Sequence, residues 1–250
     1  MTVPLLSIVI PAFNEARRLG PTLERIRAYA SETGRPCELI VVDDGSRDAT
    51  ADIVRRFDPG TLHVRLLENP ANRGKGYSVR RGVLAATGEF VLMCDADLST
   101  PLDELAKLSE WLDRGYDIAI GSRDMPDSRL DPPQPLLRRL LAWVFRAVRR
   151  RVLLPGLRDT QCGFKLFRGV VARDVFSRSE VNGWLFDCEA LAIAQRRGWR
   201  IREVGVVWRN SPDSRVKLVR EVFVAPLGLL RIRKRMARLD RAENGGRETE

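Results

Sequence analysis

Histidine is almost missing: His63 is the only one in 250 residues. One histidine makes neither zinc chemistry nor a Ser-His-Asp triad attractive. Cysteine is sparse too, and Cys37, Cys94, Cys162 and Cys188 show no paired spacing. Buried free thiols are expected, rather than disulfides or a metal cluster. No apolar run reaches 18 residues without a charge, so no transmembrane helix is expected. The opening MTVPLLSIVIPAFNE has neither a basic leader nor a small-residue cleavage site, and is not read as a signal peptide. What the chain has in plenty is positive charge, net +10 with a pI near 10.2. That balance implies a polyanionic partner: nucleic acid, a phosphorylated substrate or an anionic membrane. With 44% hydrophobic residues the chain can bury one large core, and one domain is expected.

The first 120 residues alternate strand-like and helical runs. Residues 5–10 (LLSIVI), 38–42 (ELIVV), 62–67, 90–94 (FVLMC) and 117–120 read as strands. Most are continuous apolar runs, which suits a mostly parallel sheet covered on both faces. Residues 15–31, 48–57, 75–86 and 103–114 carry helical periodicity between them. This order predicts an open, doubly wound α/β sheet, with ligands beyond the carboxyl ends of its strands. Three segments then become candidates: residues 11–15, 43–46 and 95–99. The second half is less regular. It holds a proline-rich loop at 126–135, a basic helix at 136–154, a loop leading into a strand at 158–167, a helix at 187–197 and a strand at 201–208. A polar tail from Arg241 is expected to be disordered.

Asp95 and Asp97 follow the apolar strand FVLMC, separated by Ala96. Two carboxylates one residue apart at a strand end can turn toward one hard divalent cation, whose remaining ligands are phosphate oxygens. The plain alternative is a solvated acidic loop before a helix capped by Ser99 or Thr100. Asp43-Asp44-Gly45-Ser46 closes the second strand in the same way, either as a nucleotide contact or as a turn with a helix cap. In residues 72–76 (NRGKG), Gly74 and Lys75 open a helix, where backbone amides and cations offer an anion site. P-loop spacing is absent, which excludes that type of ATPase.

The helix over 136–154 (LLRRLLAWVFRAVRRRVLL) segregates at about 100° per residue. Arg138, Arg139, Arg146, Arg149 and Arg150 share one side; Leu137, Leu140, Leu141, Val144, Phe145, Val148 and Val152 share the other. Such a helix either lies in an anionic membrane surface or packs its apolar face on the core. Residues 222–239 repeat the theme, and two such segments favour the membrane. The domain plan is 1–220 as the α/β domain, 221–240 as a basic amphipathic membrane-associating segment and 241–250 as a polar tail.

Together SIVIPAFNEARRL, ELIVVDDGSRDAT, NRGKGYSVRRGV, FVLMCDADLSTP, GSR, RDTQCGFKLF and GWLFDCEAL resemble family 2 glycosyltransferases of the GT-A fold, a Rossmann-like open sheet flanked by helices. The likeness covers about residues 5–220. Its wording is similar to the branch acting on dolichyl phosphate with glucose, with polyprenyl-phosphate mannosyltransferases as cousins. The resemblance implies nucleotide-sugar contacts from Pro11, Ala12, Asn14, Glu15 and Asp43, alongside Gly74, Lys75 and Ala96. It implies Mg²⁺ or Mn²⁺ on Asp95 and Asp97, and Arg123 against the donor diphosphate or the acceptor phosphate. Asp159, Gln161 and Asp187 would border the sugar and acceptor, and Arg215 and Lys217 the diphosphate. Arg138 matches an acceptor-phosphate arginine. Departures are Ser99, where mannosyl cousins carry Gln, Ala142 where a serine is expected, and a start directly at the first strand.

The implied activity is inverting transfer of a hexose, glucose from UDP-glucose, onto a polyprenyl phosphate by a peripheral protein at the cytoplasmic membrane face. A UDP-sugar is favoured over a GDP-sugar. The alternatives are a GDP-mannose-dependent polyprenyl-phosphate mannosyltransferase, or a basic nucleic-acid-binding protein. Basic residues interleaved with large aliphatics argue against nucleic acid as the partner.

Overall fold

The computed structural model describes residues 5–131, 136–209 and 218–245. Its centre is a seven-stranded sheet in the order β3-β2-β1-β4-β7-β5-β8. Those strands are β1 (Leu6–Ala12), β2 (Cys37–Asp43), β3 (His63–Glu68), β4 (Phe90–Cys94), β5 (Ile118–Ser122), β7 (Phe164–Arg168) and β8 (Ile201–Gly205). A two-stranded parallel ribbon pairs β6 (Arg129–Asp131) with β9 (Val207–Arg209).

The apolar strand runs sit where both faces are covered. Along β1, β2 and β4 successive side chains alternate between two cores. Val9, Ile40, Val42 and Val91 face one; Ile8, Ile10, Leu39, Val41 and Leu92 face the other. Leu19, Leu23 and Ile26 of α1 (Leu19–Thr33) and Leu105, Leu108 and Leu112 of α4 (Leu105–Asp113) close the second core. The first is closed by α3 (Lys75–Ala85), α5 (Leu136–Val152), α6 (Gly169–Ser177), α7 (Phe186–Arg196) and α8 (Leu218–Gly245). A short helix, α2 (Thr50–Arg56), supports the β3 edge, whose side chains are only partly covered.

The expected open, mostly parallel sheet is present, with β1 parallel to both β2 and β4. Strand β7 was not read as antiparallel, yet it inserts between β4 and β5 and runs against both. Its register, Phe164 opposite Cys94, has a direct consequence for the site. The loop preceding β7 enters at the edge where β4 ends. Because β7 opposes β4 and β5 alike, β5 is parallel to β4 and also ends at that edge.

Several boundaries differ from the sequence reading: the strand read over 201–208 is two strands, β8 in the large sheet and β9 in the ribbon, and β6 lies within the segment read as a proline-rich loop. Helix α1 starts at Leu19 rather than residue 15; before it, the amides of Asn14, Glu15 and Ala16 donate to Ser46, Thr50 and Asp48. Helix α8 begins before residue 221 and continues through Gly245, with Ala225, Leu229, Ile232 and Met236 in the first core. It packs on α5 and α7, so that stretch is continuous with the domain's interior.

The wheel drawn for α5 also needs correction. Arg149, placed among solvated arginines, is fully buried, whereas Trp143 is 57% and Val144 37% exposed. Arg149 lies at the margin of the basic arc, about 40° from Phe145 at 100° per residue, and Phe145 is buried. The buried side of the helix is centred on that margin rather than on the aliphatic stripe. Its guanidinium donates to the carbonyls of Leu157 at 2.9 Å and Arg158 at 2.6 Å. All four cysteines are buried and free.

Candidate functional site

The three acidic or turn-forming segments named from sequence meet at one sheet edge, because β2, β1 and β4 are neighbours pointing the same way. Pro11 and Ala12 end β1. Beyond them Asn14 adopts a left-handed backbone (φ 54°), which asparagine tolerates better than most residues. Its amide donates to Ser46 Oγ at 2.8 Å, and its side-chain oxygen accepts from the Arg47 amide at 2.8 Å. The 11–15 loop is thereby fastened to the turn after β2. Asp43 accepts from the Ser46 amide and hydroxyl, which shapes that turn.

Asp44, part of the Asp43–Ser46 motif, holds the basic turn. Its Oδ1 accepts from the Arg73 amide at 2.9 Å and from Asn69 at 2.7 Å, and its Oδ2 from the Gly74 amide at 2.8 Å. Gly74 has φ 100° and sits against the Asn182 carbonyl, where a Cβ would collide. Glycine is required there on both counts. The turn delivers Lys75, whose Nζ meets Asp95 Oδ1 at 2.5 Å. Burial opposes the Lys75 charge, but Asp95, Asp187 and Asp97 outweigh it and raise its pKa.

Asp97 is held from two sides. Its Oδ1 accepts from the Ser99 amide and hydroxyl, and its Oδ2 meets Arg18 at 3.2 Å. Arg18 also grips Glu15 through two contacts of 2.6–2.7 Å, so Glu15, Arg18 and Asp97 form one chain across the edge. Arg18 was missed in the sequence. The signal available was its spacing from Glu15, three residues on at the start of a helix.

The carboxylates suit a hard divalent ion in one specific way. Among the described residues no group of three or more His, Cys, Asp and Glu gathers to enclose a metal. Asp95 and Asp97, engaged by Lys75 and Arg18, are two carboxylates of the kind that a hard divalent ion takes together with phosphate and water oxygens. Gly163, in the loop before β7, packs so closely on the Asp95 carboxylate that any Cβ would overlap it.

The antiparallel β7 brings in the remaining groups. Arg123, just past β5, is clamped by Asp159: Nε to Oδ2 at 2.7 Å, Nη2 to Oδ1 at 3.0 Å and backbone amide to Oδ2 at 3.1 Å. Burial works against the Asp159 charge, but Arg123 and these hydrogen bonds hold its carboxyl well below the usual range. Gln161 Nε2 is buried and has no hydrogen-bond partner among the described residues. Lys165 on β7 extends to Asp187 at the start of α7, Nζ to Oδ1 at 2.6 Å. Burial pushes the Asp187 carboxyl up, and Lys165 and Lys75 only partly offset it. Lys165 lies within the RDTQCGFKLF motif, but the resemblance gave a role only to Asp159 and Gln161 there.

Of the other expected residues, Arg215 and Lys217 lie outside the described residues, and so does the side chain of Arg138. Arg146, expected on a free basic face, meets Asp124 at 3.1 Å.

A family model described as glycosyl transferase family 2 matches residues 7–176. The chain belongs to that family. The glycosyltransferase is 38% identical over 222 residues to dolichyl-phosphate β-glucosyltransferase ALG5C of Trichomonas vaginalis, covering 85% of this chain and 66% of that protein. It is 37% identical to the dolichyl-phosphate β-glucosyltransferase of Drosophila melanogaster, over 84% of this chain and 69% of that protein. Against that of Homo sapiens the identity is 34%, with 84% and 69% covered. The chain thus spans about two thirds of the length of these relatives.

Among solved structures, the fold matches glucosyl-3-phosphoglycerate synthase of Mycobacterium tuberculosis in complex with Mn²⁺ and UDP-glucose. The TM-score is 0.64 at 20% identity, over 91% of this chain and 79% of that one. Mannosyl-3-phosphoglycerate synthase from Rubrobacter xylanophilus matches with a TM-score of 0.67 at 18% identity, over 91% and 73%. At these identities the likeness establishes the GT-A fold of this glycosyltransferase.

Proposed function

We propose that this glycosyltransferase moves glucose from UDP-glucose onto a polyprenyl phosphate of the dolichyl type, inverting the sugar, at the cytoplasmic surface of a membrane. The observation that carries the reading is the sheet edge itself. Asp95, Asp97, Lys75 and the fastened 11–15 loop form a donor side, and Arg123, Asp159, Gln161 and Asp187 stand on the β5–β7 side. The names of the relatives supply glucose and the lipid phosphate, and the Mn²⁺ and UDP-glucose complex of a structural neighbour supports the donor.

In this reading Pro11, Ala12, Asn14, Glu15 and Asp43 seat the nucleotide, with Gly74 and Ala96 beside the diphosphate. Asp95 and Asp97 would hold Mg²⁺ or Mn²⁺, which supplies charge stabilisation for the leaving diphosphate. Lys75 adds a fixed positive charge next to Asp95, in place before the reaction begins. Arg123 keeps its cation whatever the pH and is aimed by Asp159, so it suits the acceptor phosphate. Arg138 would join it there, and Arg215 and Lys217 would close on the diphosphate.

A lipid phosphate is largely ionised at neutral pH and needs little deprotonation. Asp159 is unfit as a base, because its carboxyl is held far down and committed to Arg123. Asp187, pushed up and lying near Lys75, is the better-suited carboxylate; we assign it to positioning the sugar and acceptor, and any proton the acceptor carries goes to it.

Peripheral attachment is supported by apolar side chains that the core leaves outside. Trp143 and Val144 on α5 and Leu227 and Leu230 on α8 are exposed, on two helices that pack together. Among the described residues no helix is long and apolar enough to cross a membrane. A panel of UDP- and GDP-sugars with polyprenyl phosphate and Mn²⁺, read by product mass, tests the assignment. Hexosyl lipid from UDP-glucose is expected; product from GDP-mannose alone would replace glucose with mannose.

A further inference from the structure

Arg146, Arg150 and Arg158 line one cavity of about 230 Å³ together with Asp124. None of the roles assigned above uses this cavity. Two of its arginines come from α5, four residues apart and so on one face of the helix. The third comes from the loop before β7, and its main chain is anchored twice. The Arg158 amide donates to Glu203 Oε2 at 2.7 Å, and its carbonyl accepts from buried Arg149 at 2.6 Å. Arg158 therefore projects from a fixed stalk toward the helix.

The charges do not cancel. Arg146 meets Asp124 at 3.1 Å, which neutralises the one carboxylate in the lining. Both oxygens of the neighbouring Glu203 are occupied by the Arg158 and Asp159 amides. Arg150 and Arg158 are exposed and make no side-chain ion pair among the described residues. Among the lining side chains three guanidiniums stand against one carboxylate, a positive surplus that the adjacent Glu203 charge reduces without cancelling, around a space that can hold a phosphate group with its water. Planar guanidinium forks match phosphate oxygens in pairs, which is why arginine rather than lysine marks such sites.

We propose that this cavity is a phosphate-binding site, separate from the donor diphosphate, for a phosphate-bearing ligand. Trp143, exposed one turn before Arg146 on the same helix, favours a lipid headgroup over free phosphate as the source. That preference rests on the membrane reading above; the pocket chemistry does not.

The test uses Arg150→Glu and Arg158→Glu, with Arg151→Glu as control, since Arg151 is also an exposed arginine of α5 but lies outside the cavity lining. Titration with inorganic phosphate, read on arginine side-chain NMR signals, should saturate in the wild type and be lost in both cavity variants but not in the control. Sedimentation with vesicles of phosphatidylcholine plus phosphatidic acid should weaken about tenfold or more in the cavity variants. If phosphate binding depends on the cavity while vesicle binding does not, the site stands with free phosphate as its ligand. If all three variants lose phosphate and vesicle binding alike, the attraction is diffuse and the site is overturned. It is overturned equally if phosphate does not saturate the wild type. The membrane reading fails separately, if the wild type binds no vesicle.

Discussion

Lys165 and Asp187 meet inside the protein, Nζ to Oδ1 at 2.6 Å, with 2% and 6% of their side chains exposed. Lys165 also donates to the Cys162 carbonyl at 2.6 Å, so one ammonium ties the loop carrying Asp159 and Gln161 to the first turn of α7. Removing that cation leaves a buried carboxylate without its partner. Lys165→Met should destabilise the fold by about 3–5 kcal/mol in urea melts. It should also raise the Asp187 pKa further and move the acid limb of kcat/KM to higher pH, with Lys165→Arg restoring much of the profile. A purely structural lysine would lower stability and leave that limb in place.

Asp159 makes the opposite pH prediction. Its folded pKa lies below the unfolded value of about 3.9, because Arg123 and backbone amides stabilise the carboxylate. Its contribution is complete above that unfolded value and is lost as pH falls through the folded one. Asp159→Asn should therefore cost about 3–5 kcal/mol near pH 7, and the gap to wild type should narrow as both are titrated below about pH 4. Denaturant melts from pH 7 down to pH 3 check this. A constant gap would mean that Asp159 acts through shape alone.

Gly163 leaves no room for a side chain beside Asp95. The displaced group would be the movable carboxylate, so Gly163→Ala should spare the fold and misplace the ligand. We expect Mn²⁺-dependent UDP binding to weaken by about tenfold, on the order of 1.4 kcal/mol, with little change in Tm. Calorimetry with and without Mn²⁺ measures it.

Trp143 and Leu227 are exposed and outside both cores. Trp143→Ser with Leu227→Ser should change stability by no more than about 0.5 kcal/mol per site while reducing sedimentation with anionic vesicles severalfold. Unchanged sedimentation would remove these side chains from the membrane contact.

The half proposed to seat the donor was legible because apolar runs, acidic strand ends and parallel connections agree with one another at every step. Asp95, Asp97, Asp43 and the 11–15 loop are local features, each marked by the strand before it. The half proposed to meet the acceptor depends on long-range placement. Nothing in FKLFR states that the strand runs antiparallel, yet that direction is what lays Asp159 beside Arg123 and Lys165 beside Asp187. The basic wheel of α5 misled for a related reason. Hydropathy assigned Arg149 to solvent, whereas two carbonyls of the loop before β7 recruited it inward. Arg18 and Asp44 act by bridging segments 25 to 79 residues away, a role that no motif spacing records.

The role proposed for the Asp95–Asp97 edge is metal-dependent glucosyl transfer to a lipid phosphate. It is tested most directly by single-turnover transfer from UDP-glucose to polyprenyl phosphate, titrated with Mn²⁺, in wild type and Asp97→Ala. A hexosyl-phosphate lipid is expected whose yield rises and saturates with Mn²⁺ in the wild type and is lost in the variant. Equal yield in both proteins, or a yield indifferent to Mn²⁺, would contradict it.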